Sequence, residues 1–374
     1  MLNSKLRGKI KSIARKTKTL DLYRSLRKEY WHFRNVRAYK RISRGGVDYP
    51  SQLLFELTGR CNLSCGMCYQ RNDNSARGLS LEEIDRVFHN LGPHVRLIFL
   101  SGGEIFLRED IFEILDLLKN KYGKECFLVT NGILVDENIA NRLSRYPNIR
   151  GTMISLDGPR DVHNRLRGSE DAFDKSVNAI RLLRDKLTVS AGCVVTKENV
   201  QYLPELVSIV HGLGIGHINF LSEMFSTNSL VNATREMLDP DGCEIFIKEK
   251  PSADHDFSFE LFQSKIDEAR KTGDRLGVSI GITPKIPASC LGSYFHDTLF
   301  RQKKMACKNL LEGRIDYNGD VIFCHLLRIK FGNLLESSFE DIWGSEKMRT
   351  FRKKLLEGNL LPICRRCSCR IEVI

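Results

Sequence analysis

Between residues 52 and 221 the chain repeats one pattern, a short apolar run followed by a longer amphipathic stretch. Runs at 52–57, 96–101, 125–130, 150–156, 188–195 and 216–221 have the length and composition of strands. The stretches between them place apolar residues at helical spacing and predict helices over 80–91, 109–120, 136–145, 170–185 and 200–213. The first of these opens on Ser80 with Glu83 three residues later, the reciprocal pair that satisfies two free backbone N–H groups. Strands alternating with helices of this length build a parallel sheet, because a parallel neighbour is reached only by a right-handed crossover over the sheet face. The fold class is therefore α/β, and six units are too few to close an eightfold barrel. In such sheets ligands sit at the carboxyl ends of the strands, so the loops that follow the apolar runs are the place to look for chemistry.

The loop after the first run is Leu57-Thr58-Gly59-Arg60-Cys61-Asn62-Leu63-Ser64-Cys65-Gly66-Met67-Cys68-Tyr69. A strand that empties into such a short loop can point Cys61, Cys65 and Cys68 at one centre, and soft thiolates select iron–sulfur clusters, zinc or cuprous copper. A cubane has about four iron corners, so three thiolates leave one iron open to a substrate or cofactor. The next loops begin Ser101-Gly102-Gly103-Glu104, Thr130-Asn131-Gly132 and Ser155-Leu156-Asp157-Gly158-Pro159.

Cysteines spaced Cys-x3-Cys-x2-Cys after a strand, followed in order by these three motifs, resemble the radical S-adenosylmethionine (radical SAM) superfamily. The resemblance implies a partial (β/α)6 barrel and a SAM-binding four-iron four-sulfur cluster on Cys61, Cys65 and Cys68. It implies that Gly102 and Gly103 let backbone approach the ligand while Glu104 receives the SAM amino group. By the same resemblance Ser155 and Asp157 contact ribose or methionine, and Arg167 pairs with the SAM carboxylate. Met67 stands where an aromatic often meets adenine, Tyr69 completes the implied cofactor set, and Ile105 replaces a common proline. On the residues alone, Asp157 also suits a turn cap and Arg167 a surface charge. The activity implied is reductive cleavage of SAM to a 5′-deoxyadenosyl radical that abstracts a substrate hydrogen, with the electron coming from a donor such as flavodoxin or ferredoxin. No catalytic acid or base stands out.

Towards the end of the chain the pattern sharpens again. Cys307 precedes the turn Asn318-Gly319-Asp320, which lies between short apolar runs and predicts a hairpin, and Cys324 follows it, so the hairpin is expected to present two thiolates. Cys364 and Cys367 form a second pair. This tail resembles the shortened (twitch) form of the SPASM domain, which carries one auxiliary iron–sulfur cluster. The same spacings also suit a four-cysteine zinc site. Cys369 is either a spare thiol or a competitor of Cys367, and His325 is expected to pack beside the site. The division expected is a basic helical extension at 1–48, the barrel at 49–225, a variable substrate region at 226–306 and a small α+β cluster domain at 307–374. Within the variable region a helix is predicted over 257–269 and a strand over 278–282.

The net charge of +12 is confined to residues 1–48, which hold fifteen Lys or Arg and three acids. The remainder is neutral, which argues against specific nucleic-acid binding by the body. In the extension, Leu6, Ile10, Ile13, Leu22, Leu26, Tyr30 and Phe33 recur at helical spacing. A helix packed on the barrel with a solvated basic face is expected; peripheral contact with an anionic membrane through residues 1–46, or with an acidic substrate, is the alternative. No apolar run approaches the roughly 18 residues of a membrane helix, and no apolar signal core follows the N-terminus, so the expected location is cytoplasmic. Clustered cysteines in that setting bind metal, and Cys126, Cys193, Cys243 and Cys290 read as small buried hydrophobes. For the substrate, a small molecule, sugar or lipid-linked compound is favoured over a ribosomal peptide, since no leader-binding module is recognisable. A non-catalytic cluster or zinc protein for electron transfer or scaffolding is the alternative of another class; Gly102-Gly103-Glu104 argues against it.

Overall fold

Seven parallel strands follow one another in both sequence and space: β1 (Gln52–Glu56), β2 (Leu97–Ser101), β3 (Glu125–Thr130), β4 (Ile149–Ser155), β5 (Val189–Val195), β6 (His217–Ser222) and β7 (Ser279–Thr283). The computed structural model describes residues 32–68, 78–224, 226–238, 258–284, 288–296, 305–358, 360–367 and 369–372. Tyr69, Cys243 and residues 1–31 of the basic extension lie outside them. The six strands expected from the sequence are present to within about a residue, as periodicity alone allows.

The helices are α1 (Leu81–Asn90), α2 (Ile111–Asp116), α3 (Glu137–Leu143), α4 (Arg160–Arg167), α5 (Ala172–Leu183), α6 (Leu203–Gly212), α7 (Asn228–Met237) and α8 (Phe259–Leu276). The Ser80–Glu83 capping box forms at the start of α1. The helix expected over 109–120 is not uniform, because α2 widens into a π turn over Leu117–Lys121, where Tyr122 N donates to Leu117 O at 3.1 Å.

Burial alternates strictly along β2, β3 and β6. The buried set packs against the helices, as where Phe55 meets Phe88 of α1 edge to face at 6.1 Å. The half-buried set, with Phe99 and Phe127 5.3 Å apart among it, lines the concave side. That concave lumen opens at the carboxyl ends of the strands.

The sheet does not stop at the expected boundaries. β7 comes from the segment assigned to a variable region and pairs in parallel with β6, making a seventh barrel strand. β8 (Met305–Cys307) lies apart from this sheet. On the other edge β9 (Gly313–Ile315) pairs in parallel with β1, and β10 (Asp320–Ile322) and β11 (Lys330–Asn333) continue the same sheet antiparallel. One ten-stranded sheet thus joins the barrel, the variable segment and the C-terminal hairpin. The sequence hides this because a strand shows its period and not its partner.

A helix over 32–43 buries Ala38 and Ile42 and leaves Phe33 66% exposed among basic side chains. It ends at Gly45, whose φ is +82°, with Gly46 N donating to Arg41 O at 3.0 Å.

Candidate functional site

Three backbone bonds lace the Ser101-Gly102-Gly103-Glu104 turn to the cysteine loop. Leu57 N donates to Ser101 O (2.8 Å), Gly103 N to Thr58 O (2.8 Å) and Glu104 N to Arg60 O (2.9 Å). A Cβ on Gly102, whose φ is +139°, would lie 2.4 Å from Thr58 O, and one on Gly103 would lie 2.0 Å from Arg60 O. The two glycines therefore admit the backbone that leads into Cys61, an approach that the sequence did not reveal. Arg108 fixes the same loop from below, donating from Nη1 to Leu57 O at 3.1 Å while paired with Asp110 at 2.6 Å.

Glu104 is fully buried. Its Oε1 accepts from Thr130 Oγ1 (2.7 Å) and Phe106 N (3.2 Å), and its Oε2 accepts from Asn131 N (2.8 Å). About one lone-pair direction, on Oε2, is left for a ligand amine. Burial pushes the carboxyl pKa up, against these three donors and Arg167. Asn131 Nδ2 also donates to Asn62 Oδ1 at 2.8 Å, so the Thr130-Asn131-Gly132 turn, to which the sequence assigned no contact, binds both the acid and the cysteine loop.

Cys61 and Cys65 are half-buried and Cys68 is exposed. Burial raises the Cys61 thiol, opposed by a backbone bond at Leu63, and the nearby Glu104, Cys65 and Cys68 charges raise it further. Three thiols and a carboxylate in one neighbourhood repel one another and favour a cationic centre. Cys68 N donates to Cys65 O (3.1 Å), and Gly66 N donates to Leu166 O (3.2 Å), which ties the loop to α4. Met67 is buried against Val162 and Leu166 of that helix, so it packs the loop down onto α4.

The sequence did not predict α4, an eight-residue helix between Pro159 and Gly168 that carries Arg167 on its last turn. Arg167 is no surface charge; its side chain is 12% exposed, and Nε donates to Asp157 Oδ2 at 2.6 Å while Nη1 lies 3.7 Å from Cys65 Sγ. Asp157 is 0% exposed and also accepts from Val194 N on Oδ1 at 2.9 Å. Both oxygens of the Asp157 carboxylate thus have a partner within the chain, Arg167 for one and β5 for the other. Burial alone would raise its pKa, but Arg167 and His163 outweigh it and hold the group at about 2. Ser155 stands half-buried at the mouth of the lumen, paired in register with Gly192.

The second thiol group converges differently from expectation. Cys324 follows the β9–β10 hairpin, but Cys307 ends β8, which pairs with the last strand, β12 (Arg370–Glu372). Cys364 lies in the turn Pro362–Arg366, and Cys367 follows it. All four are buried. Burial raises the Cys307 thiol and the Cys364, Cys324 and Cys369 charges raise it further, while Cys324 is pushed up to about 12 by burial and then Cys364. Cys369 is the fifth thiol of the group; its hydrogen bond with Cys367 draws it down to about 6 against burial, with help from Arg314 and Lys308. Backbone N–H groups already point at sulfur here, Leu327 N at Cys324 Sγ (3.1 Å) and Cys369 N at Cys367 Sγ (3.2 Å).

Among the described residues no three thiols, imidazoles or carboxylates are close enough to share a single metal ion, and eleven cysteines are free of disulfides. The chemistry of the donors suits a cluster at both groups, since a cluster takes one soft thiolate per iron, and four thiolates at the second group suit zinc as well.

The sequence also gave no warning of a buried charge network between the two sites. Arg314 and Arg328 bond Glu56 at 3.2 Å each, and Arg328 bonds Asp316 at 3.1 Å. A glutamate ending an apolar strand was the available signal. His325 is buried with Nε2 3.2 Å from Met224 Sδ, packed where the hairpin meets the loop after β6.

The family model described as the radical SAM superfamily matches residues 55–210, and the one described as an iron–sulfur cluster-binding domain, SPASM, matches residues 307–368. The chain belongs to the radical SAM superfamily, with a C-terminal SPASM domain. Radical SAM enzymes of this kind carry a four-iron four-sulfur cluster and SAM, and the SPASM domain implies auxiliary iron–sulfur binding. The antilisterial bacteriocin subtilosin biosynthesis protein AlbA of Bacillus subtilis is 28% identical over 80% of this chain, which spans 61% of AlbA's length. The Fe-coproporphyrin III synthase of Methanosarcina barkeri is 24% identical over 86% of this chain and 81% of its own. The fold matches Streptococcus suis SuiB bound to S-adenosylmethionine with a TM-score of 0.63 at 15% identity, over 86% of this chain and 72% of SuiB. No helix among the described residues is long and apolar enough to cross a membrane.

Proposed function

We propose that this radical SAM chain binds its SAM cluster on Cys61, Cys65 and Cys68 and abstracts a hydrogen atom from a substrate held in the barrel lumen. The observation that carries this reading is the lacing of the Gly102-Gly103-Glu104 turn and the Asn131 turn onto the cysteine loop at the lumen mouth. When bound, the cluster and SAM supply a 5′-deoxyadenosyl radical. The chain's part is to hold the amino group at the remaining acceptor of Glu104, to exclude water, and to set the substrate hydrogen against the radical position. Cys307, Cys324, Cys364 and Cys367 hold the auxiliary cluster in this reading, with Cys369 beside them. Gly102 and Gly103 serve the loop, and Ser155, at the lumen mouth, is available to a ribose.

For the substrate we infer a peptide first, because AlbA belongs to bacteriocin biosynthesis and SuiB has been solved with its precursor peptide SuiA. The small-molecule class favoured from the sequence is the second reading, supported by the match to a porphyrin-processing synthase. Anaerobically reconstituted protein with SAM and dithionite is expected to release 5′-deoxyadenosine, and Cys61→Ala to release none; release by Cys61→Ala equal to wild type would sink the assignment. With size-fractionated extract from cells grown in deuterated medium, deuterium entering 5′-deoxyadenosine from a protease-sensitive fraction supports the peptide. Transfer from a protease-resistant small fraction replaces it by the second reading.

The exposed Phe33, with Arg37, Lys40 and Arg41 on the helix over 32–43 and Arg44 just after it, supports peripheral binding to an anionic bilayer. Co-sedimentation of the full chain with phosphatidylserine vesicles, lost in Phe33→Ser with Arg37→Gln, is expected; equal sedimentation with neutral vesicles would rule it out.

A further inference from the structure

Cys65 and Arg167 are locked together twice. Gly66 N donates to Leu166 O at 3.2 Å, which holds the cysteine loop on the last turn of α4, and Arg167 Nη1 lies 3.7 Å from Cys65 Sγ, within reach of an N–H···S bond. The guanidinium has no freedom to leave. Its Nε is bound to Asp157 Oδ2 at 2.6 Å, Asp157 Oδ1 accepts from Val194 N at 2.9 Å, and the Asp157 carbonyl accepts from Asn199 Nδ2 at 2.9 Å. The backbone N–H of Asp157 donates to His163 Nδ1 at 3.0 Å, from the same short helix. Asp157 and the sulfur occupy different edges of one planar group, so the positive end of the ion pair faces the thiolate and the negative end faces β5. In a site this enclosed, solvent screens that dipole little.

We propose that the Asp157–Arg167 pair is a positioning device that sets the reduction potential of the cluster held by Cys65, by directing a fixed N–H at that sulfur. This rests on the cluster assignment made above and goes beyond any contact of Arg167 with SAM. Reduction by an external one-electron donor adds one negative charge to the cluster and its thiolates; an N–H aimed at a ligand sulfur stabilises that charge and raises the potential. Lysine would keep the charge but not the rigid fork that serves two partners at once.

The test uses the full chain, reconstituted anaerobically and titrated without SAM, so that a role in holding SAM does not enter. Reduced cluster is read by electron paramagnetic resonance at a series of fixed potentials, with iron and sulfide counted in each sample. The variant Cys61→Ala/Cys65→Ala/Cys68→Ala supplies the auxiliary signal for subtraction. Arg167→Gln is expected to retain iron and to show about a tenfold lower ratio of reduced to oxidised cluster at a fixed potential, which is about 59 mV for one electron. Arg167→Lys is expected to fall between it and wild type, and where one variant loses iron the other decides. Midpoints equal to wild type at equal iron content overturn the proposal. Loss of iron in both variants also overturns it, since the pair would then build the site rather than tune it. Full iron in the triple cysteine variant overturns the cluster assignment itself, a failure separable from the other two.

Discussion

A methyl group at residue 103 would stand 2.0 Å from a backbone oxygen that cannot swing away, the Arg60 carbonyl. Gly103→Ala must therefore move the loop that carries Cys61. We expect it to cost about 1–3 kcal/mol or more, as overpacking does, and to lower the iron bound at the first site. Gly212→Ala, where a Cβ would meet nothing within 4 Å, is the control and should hold iron and melt normally. Equal iron in both would show that the close approach does not govern the site. Asp157 supports a pH prediction at the same scale. Its folded pKa, held at about 2 by Arg167 and His163 against burial, lies below the ordinary carboxylate value of 3.8. Its stabilisation is therefore complete above the unfolded value and is lost as the pH falls from there through about 2. The size is about 2–3 kcal/mol at neutral pH. Wild type and Asp157→Asn should differ in urea stability at pH 7 and converge as the pH approaches 2; a gap independent of pH would mean that packing, not the ionised pair, separates them.

Two elements decide where those residues work. α4 is short and polar, and its stability comes from what its last turn holds, the Cys65 loop on one side and Asp157 on the other. β9 is only three residues long, yet its place beside β1 brings Arg314 to Glu56, and Arg328 completes a buried network with Asp316. Breaking such a network by removing one partner leaves the other charges desolvated. Glu56→Gln is expected to lower stability by about 3 kcal/mol. Adding Arg328→Met should return part of that loss, and a double-mutant cycle in guanidinium reads the coupling directly. Additive effects would show that Glu56 and Arg328 act separately.

At the scale of the molecule, one sheet carries the first thiol group, on the loop after β1, and Cys324 of the second, on the hairpin that begins on its neighbour β9, while Cys307 comes from the separate β8–β12 pair. Two separable clusters are expected. Cys364→Ser with Cys367→Ser should lower the iron of reconstituted protein from about eight to about four per chain, while the signal from the Cys61 site persists. Loss of all iron would show that the two sites are one folding unit; zinc retained in wild type would make the second site structural. Much of this was legible beforehand. The order of the strands, the Ser80 cap, the three cysteines after β1 and the hairpin at Gly319 all rest on local period and spacing, which neighbours along the chain specify by themselves. The contacts of Gly102, Gly103, Met67 and Asp157 within the chain were not, because each depends on a segment distant in sequence. Thr58 and Arg60 meet the glycines, α4 meets Met67, and Arg167 and β5 close over Asp157. The seventh strand and the hairpin beside β1 follow the same logic, since periodicity says that a segment is a strand and only packing says which edge it joins. The sequence alone therefore determined which ligands and motifs the chain carries and in what order. The tertiary structure decided what each one touches, because burial and close approach are set by residues brought together from far apart in the chain.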